Sequence, residues 1–141
     1  MEPVNIGVIG GSGLSNVEEL EIEDKVKLDT PFGEPSCEYV IGSLSGVRVA
    51  FLARHGEGHS IPPTFLNYQA NIWGMKMLGV ERIIASGACG SFKEELPPGH
   101  IVVVDQFLDR TRNRISTFTG PGLVAHVLFA DPVCAGLAAV L

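Results

Sequence analysis

Three short stretches of the chain carry residue types that can do chemistry on an anion. Gly10-Gly11-Ser12-Gly13 offers closely spaced backbone N–H groups and one hydroxyl, the equipment of a phosphate cradle. The same residues also suit a tight strand-to-helix turn that needs small side chains. The loop does not fit the dinucleotide fingerprint, because Asn16 stands where a glycine is required, and no Gly-Lys-Ser/Thr follows to make a Walker loop. Arg54-His55-Gly56-Glu57-Gly58-His59 sets a permanent planar charge beside an imidazole, a pairing that suits phosphate. Read as a metal site, it would use His55, Glu57 and His59. The HExxH order is missing, however, and the two glycines disfavour the helix that motif needs. Ordinary loop histidines with surface partners are the third reading. Ser86-Gly87-Ala88-Cys89-Gly90-Ser91 adds another loop of small residues. Cys89 is a candidate nucleophile with a histidine as base; its small neighbours beside a buried strand favour a small core cysteine instead. Arg110, Arg112 and Arg114 alternate along the chain and would share one face of an extended segment, although paired surface arginines are the plainer reading.

Each of the three loops must be positioned by a strand. Asn5 to Ile9 is a short apolar run that ends in glycine and reads as a buried strand. Val17 to Leu28 is acidic and weakly patterned, hence loop with a short helix or an edge strand. Thr30 to Pro35 is irregular. Cys37 to Leu44 and Val47 to Leu52 read as two strands joined by a Ser45-Gly46 hairpin turn. Ala53 to Thr64 is loop. Phe65 to Leu78 has Phe65, Leu66, Ala70, Trp73, Met77 and Leu78 at helical spacing, with Thr64 or Asn67 as cap and Gly79 as the stop. Arg82 to Ser86 is a further strand, and strand–helix–strand at this spacing makes a βαβ unit with a partly parallel sheet. Ligands of such sheets gather at the carboxyl ends of the strands, where all three loops emerge. Ile101 to Phe107, almost wholly apolar, is expected to be a strand buried on both faces. Asp131-Pro132 should cap a helix from Val133 to Leu141. That helix is so apolar, and so bare of a stop signal, that the chain is expected to be part of a larger domain.

The bulk properties narrow the classes. A chain of 141 residues, 45% hydrophobic and 18% charged, is expected to form one α/β domain rather than a disordered segment. The formal charge of −6, from 16 acidic against 10 basic residues, argues against nucleic acid as a partner. A local pocket for a small anion remains compatible with it. Cys37, Cys89 and Cys134 are few and scattered, which suggests neither a disulfide framework nor a CxxC metal site and points to a reducing, cytoplasmic compartment. Neither a signal peptide nor an apolar run of about eighteen residues is readable, so no membrane partner is expected.

The stretches IGVIGGSGL, TPFGEPS, RHGEGHSIPP, NYQANIW, SGACGSFKEELPPG and DQFLDRTRNR…STF, taken in this order, resemble the methylthioadenosine/purine nucleoside phosphorylase family. The resemblance runs over residues 6–141. It implies a central mixed, partly parallel sheet flanked by helices, and a chain that stands for the N-terminal half, residues 1–141, of a single phosphorylase domain. The implied reaction is phosphorolysis of a purine nucleoside, either 5′-methylthioadenosine or a 6-oxopurine nucleoside, to free base and a ribose 1-phosphate. No cofactor, metal or covalent enzyme intermediate is implied; inorganic phosphate is a substrate. By position, the family's phosphate contacts fall on Ser12, Arg54, His55, Gly87 and Ala88. At Gly87 some relatives offer a threonine hydroxyl, and only a backbone N–H is available here. His126 lies in the segment that, in this family, reaches toward the 5′-substituent pocket of a neighbouring subunit. A homotrimer or a dimer of trimers is implied. The family's base-recognising residues, its ribose-contacting methionine and a further phosphate-binding threonine belong to the second half, so none is matched here. The alternative is a catalytically incomplete member of the family that only associates with other chains.

Overall fold

Short apolar runs and one acidic segment in the first part of the chain build one mixed sheet, formed by β1 (Ile6–Gly10), β2 (Glu21–Val26), β3 (Tyr39–Leu44), β4 (Val47–Ala53) and β5 (Arg82–Ala85). The computed structural model describes residues 4–11 and 18–141. These fall into two compact units, one ending at Ala88 and the other running from Cys89 to Leu141, and each is described by itself.

In the first unit the strand order is β2-β3-β4-β1-β5. β3 is antiparallel to both β2 and β4, whereas β1 lies parallel between β4 and β5. The β3–β4 hairpin turns at Ser45 and Gly46, whose φ angles of 51° and 77° are the two left-handed conformations that a tight hairpin of matching twist requires. The acidic segment before it supplies an edge strand, β2, one of the two forms its pattern allows. Helix α1 (Tyr68–Met77) connects β4 to β5 and covers one face of the sheet. Met75 and Leu78 from this region join Ile9, Tyr39, Ile41, Ala50 and Leu52 in one buried cluster.

α1 starts three residues later than its apolar spacing predicts. Leu66 is extended, with ψ 129°, after a separate short turn at Pro63–Phe65, so the helix begins only after Asn67. The Asn67 side chain accepts the Ala70 N–H at 3.0 Å, and its amide donates to the carbonyls of Phe32 and Glu34, tying the Thr30–Ser36 loop to the helix start. The buried face also differs from the expected one. Ala70, Asn71, Gly74 and Met75 point inward, while Phe65 is 77% exposed and Met77 lies open. The cause is tertiary. Tyr39 stands beneath the helix and donates its hydroxyl to the Asn71 carbonyl at 2.9 Å, so only glycine fits above it at position 74. Asn71 meanwhile exchanges hydrogen bonds with the backbone N–H and the hydroxyl of Ser36.

Three expectations are corrected beyond β5. Ile101 to Phe107 forms no strand: Ile101 is 94% exposed and the valines after it are open as well. A strand buried on both faces needs ladder partners and cover, and no strand occurs among the described residues of the second unit. The expected helix over Val133–Leu141 shrinks to α2 (Ala135–Ala138), with Cys134 rather than Asp131 at its start and no side-chain cap. Without a cap, a single turn gains too few hydrogen bonds to offset the cost of nucleation and extend. Cys89 is exposed rather than a core residue, because its neighbours Gly87, Ala88 and Gly90 are themselves at the surface. No helix among the described residues is long and apolar enough to cross a membrane.

Candidate functional site

Because β1 runs parallel between β4 and β5, the carboxyl ends of three neighbouring strands share one edge of the sheet. The ladder continues one step past the strands. Arg54 N–H donates to the Gly10 carbonyl at 3.1 Å, and Ser86 N–H to the Ile9 carbonyl at 3.1 Å. Arg54 and Ser86 are thereby anchored on opposite sides of the β1 terminus.

The Arg54 side chain bridges these loops. Its Nη1 donates to the Ser86 carbonyl at 2.6 Å, and its Nε donates to His55 Nε2 at 3.2 Å. His55 Nδ1 lies 2.9 Å from the Ile61 carbonyl, which can only accept, so Nδ1 carries the proton and Nε2 presents its lone pair to Arg54. These two hydrogen bonds are those of the Nδ1–H tautomer of the ring. It is 8% exposed, and the His59 ring lies against it with centroids 4.2 Å apart and planes inclined by 31°. The sharp return of the chain depends on Gly56, whose φ of 73° lets its N–H reach the Ala53 carbonyl at 2.9 Å. Ile61 then closes the loop, donating its N–H to the His55 carbonyl at 2.8 Å while its own carbonyl holds the ring.

Gly11 leaves the space that the guanidinium occupies. A Cβ there would stand 2.7 Å from Arg54 Cζ and 2.8 Å from Nη1, and closer still to Nη2. On the other side, a Cβ on Gly87 would lie 3.8 Å from Nη2, so the Gly87 backbone borders the guanidinium edge that has no hydrogen-bond partner among the described residues. The result is a cationic, bidentate-capable group at a sheet edge, flanked by glycine backbone that an anion can approach closely.

Of the residues singled out from sequence, Arg54, His55 and Gly87 are brought together, with Ala88 next in the chain and exposed. Ser12 lies outside the described residues. His126 belongs to the second unit and is exposed. The two ring nitrogens of His55 are both engaged, and His59 stacks on that ring rather than converging with it on a point, which is the wrong arrangement for a shared metal ion. In the arginine-rich run, Asp109 accepts the Thr111 N–H at 2.9 Å, which, with the nearby Arg114 charge, holds its carboxyl below the usual range. That turn fits an ordinary solvated surface. Cys37 donates its thiol to the Ala53 carbonyl at 3.4 Å, and burial pushes its pKa up, so it remains a protonated thiol. The carbonyls of Ser86 and Ile61 carry no signal in the sequence, since every residue has one. Only the fold selects them.

The family model described as the phosphorylase superfamily matches residues 5–141. The S-methyl-5′-thioadenosine phosphorylase of Geobacter sulfurreducens is 59% identical over 140 residues, which is 99% of this chain and 49% of the relative. That of Koribacter versatilis is 57% identical, over 96% of this chain and 47% of the relative. Among solved structures, a methylthioadenosine phosphorylase from an antarctic soil metagenomic library shares the backbone with a TM-score of 0.92 and 47% identity, covering 99% of this chain and 49% of that one. The Schistosoma mansoni methylthioadenosine phosphorylase in complex with adenine gives a TM-score of 0.86 at 43% identity, over 93% of this chain and 49% of that one. The chain spans about half the length of the curated relatives it matches. With its sequence matched almost end to end and its strands laid out as in solved members, the chain belongs to the phosphorylase superfamily.

Proposed function

We propose that this chain carries the phosphate-binding side of a purine nucleoside phosphorylase, acting in the complete enzyme on a 5′-methylthio- or 5′-hydroxy-nucleoside. The observation that carries the reading is the Arg54 guanidinium, held by Ser86 and His55 at the shared edge of three parallel strands. In such a reaction a phosphate oxygen attacks the anomeric carbon as the bond to the purine breaks. Positive charge develops on the ribose, and a fixed phosphate dianion beneath it stabilises that charge without any reorganisation during the step. Arg54 fixes the dianion; the Gly87 and Ala88 N–H groups, and Ser12, complete its surroundings. His126 contributes to the 5′-substituent pocket of a neighbouring subunit in a trimer or a dimer of trimers. Close relatives named for S-methyl-5′-thioadenosine favour the methylthio substrate over a 6-oxopurine nucleoside. The chain corresponds on this reading to the N-terminal half of one phosphorylase domain, in a cytoplasmic enzyme that needs no cofactor.

The test is a phosphorolysis assay on the 141-residue chain with phosphate and either methylthioadenosine or inosine, following free purine. Phosphate-dependent release of adenine, faster than that of hypoxanthine, is the expected result for an active chain. The exposed apolar residues from Ile101 to Leu108 and from Val127 to Phe129 favour a second reading, in which the chain is catalytically incomplete and associates with other chains. Folded protein that binds phosphate, releases no purine and sediments as an assembly would decide for that reading. A clean monomer would count against it.

A further inference from the structure

Resting on the anion-site reading above, we infer that His55 is a positioning residue which keeps Arg54 aimed at the anion, and that it performs this role only in its neutral form. The geometry leaves the imidazole no free donor for an anion. Nδ1–H is given to the Ile61 carbonyl, and Nε2 is the acceptor for Arg54 Nε–H. With Nε bound to His55 and Nη1 bound to Ser86, the guanidinium plane is fixed from two sides and its Nη2 edge faces the glycine backbone of the site. A second proton on His55 would sit on Nε2 and point at the Arg54 Nε–H. Two donors would then face each other, and the like charges of imidazolium and guanidinium would push Arg54 off its aim. The groups facing His55 are Arg54 and the Ile61 carbonyl at its two nitrogens and the His59 ring against its face, with Glu57 exposed in the same loop.

A histidine that binds the anion directly would behave in the opposite way, because a protonated imidazole attracts an anion more strongly. The sign of the pH dependence therefore separates the two roles. Sulfate is the probe, since it stays a dianion while phosphate changes charge in the same range. Calorimetric titration of the full chain with sulfate between about pH 8 and about pH 5 is the experiment. The expected result is an affinity that falls roughly tenfold or more on acidification. In the His55→Gln variant, which retains one acceptor and one donor but gains no proton over this range, that fall should be absent. His59→Asn, which keeps a residue tolerant of the left-handed backbone at φ 60°, should preserve the fall and so assign it to His55 rather than to its stacked neighbour. Affinity that rises on acidification in the native chain overturns the proposal and leaves the anion site standing. A His55→Gln variant that keeps the native pH dependence also overturns it. If the native chain binds neither sulfate nor phosphate at any pH, the anion-site reading itself fails, and the positioning role fails with it.

Discussion

Replacing Arg54 by alanine is expected to weaken phosphate binding by about a hundredfold or more. Hydrogen bonds to charged groups contribute about 1.5–3 kcal/mol each, and a guanidinium presents two donors to one anion. Arg54→Lys restores the charge but not the planar fork. It also cannot serve the Ser86 carbonyl, His55 Nε2 and an anion from three fixed directions, so binding should stay about tenfold weaker than native. Gly11→Ala approaches the same end from the opposite side: it leaves Arg54 in the chain and takes away the space for its guanidinium. Its phosphate affinity should resemble that of Arg54→Lys more than that of the native chain. Phosphate titration of all three variants, with thermal unfolding as the control, measures the effect. Because Ser86 is only half-buried, water can replace the lost donor, and stability should change by no more than about 1 kcal/mol. Native-like phosphate affinity in Arg54→Ala would remove this loop from the site.

The second large effect concerns the fold. Gly74→Ala should destabilise the chain by about 2 kcal/mol, although two terms compete. Alanine in a helix interior is favoured over glycine by about 1 kcal/mol. Against this, the new methyl group would lie 2.5 Å from Cζ and 2.8 Å from Cε2 of Tyr39, and nearer still to the hydroxyl oxygen. Tyr39 has nowhere to go. It is fully buried and holds the Asn71 carbonyl at 2.9 Å and that of Ala70 at 3.3 Å. Burial also pushes its phenol well above the usual pKa, so it remains a neutral donor. Overpacking of this kind costs about 1–3 kcal/mol and more where backbone is involved, so steric strain outweighs propensity. Removing the hydroxyl in Tyr39→Phe should relieve part of the clash, making the double variant less destabilised than the sum of the two single changes. Chemical denaturation of the four chains would show this, and a Gly74→Ala chain as stable as the native one would refute the packing account.

The positions of β1, β3, β4 and β5 and of their glycine-rich loops were legible because their signals are local: short apolar runs, a Ser-Gly turn, and glycine directly after a strand. Convergence of the loops also followed, once parallel neighbours were assumed. The inward face of α1 was not legible. Asn71 and Gly74 are buried for what stands opposite them, Ser36 and Tyr39, and both lie more than thirty residues away in the chain. The same distinction runs through the site. Arg54 announces itself by residue type, whereas the Ser86 and Ile61 carbonyls that orient Arg54 and His55 are chosen by register. Ile101 to Phe107 was misread for a related reason. Apolar composition reports what a segment needs to have covered, and a strand exists only where a neighbour completes its ladder.

The place of β1 between β4 and β5 has a consequence for the order in which these strands assemble. Among the described strands β1 comes first along the chain yet pairs with β4 and β5, which come after β2 and β3, while β2, β3 and β4 each pair with a chain neighbour. Loop closure favours the antiparallel meander first, with β1 entering between β4 and β5 afterwards. Pulse-labelled hydrogen exchange during refolding should therefore find the β3–β4 amides protected before those of Val8 and Ile9. Simultaneous protection of both sets would contradict that order. Since Gly10 and Ile9 supply the carbonyls that seat Arg54 and Ser86, the anion-binding edge comes into being when β1 enters between β4 and β5, and no partly folded intermediate that lacks β1 can present it.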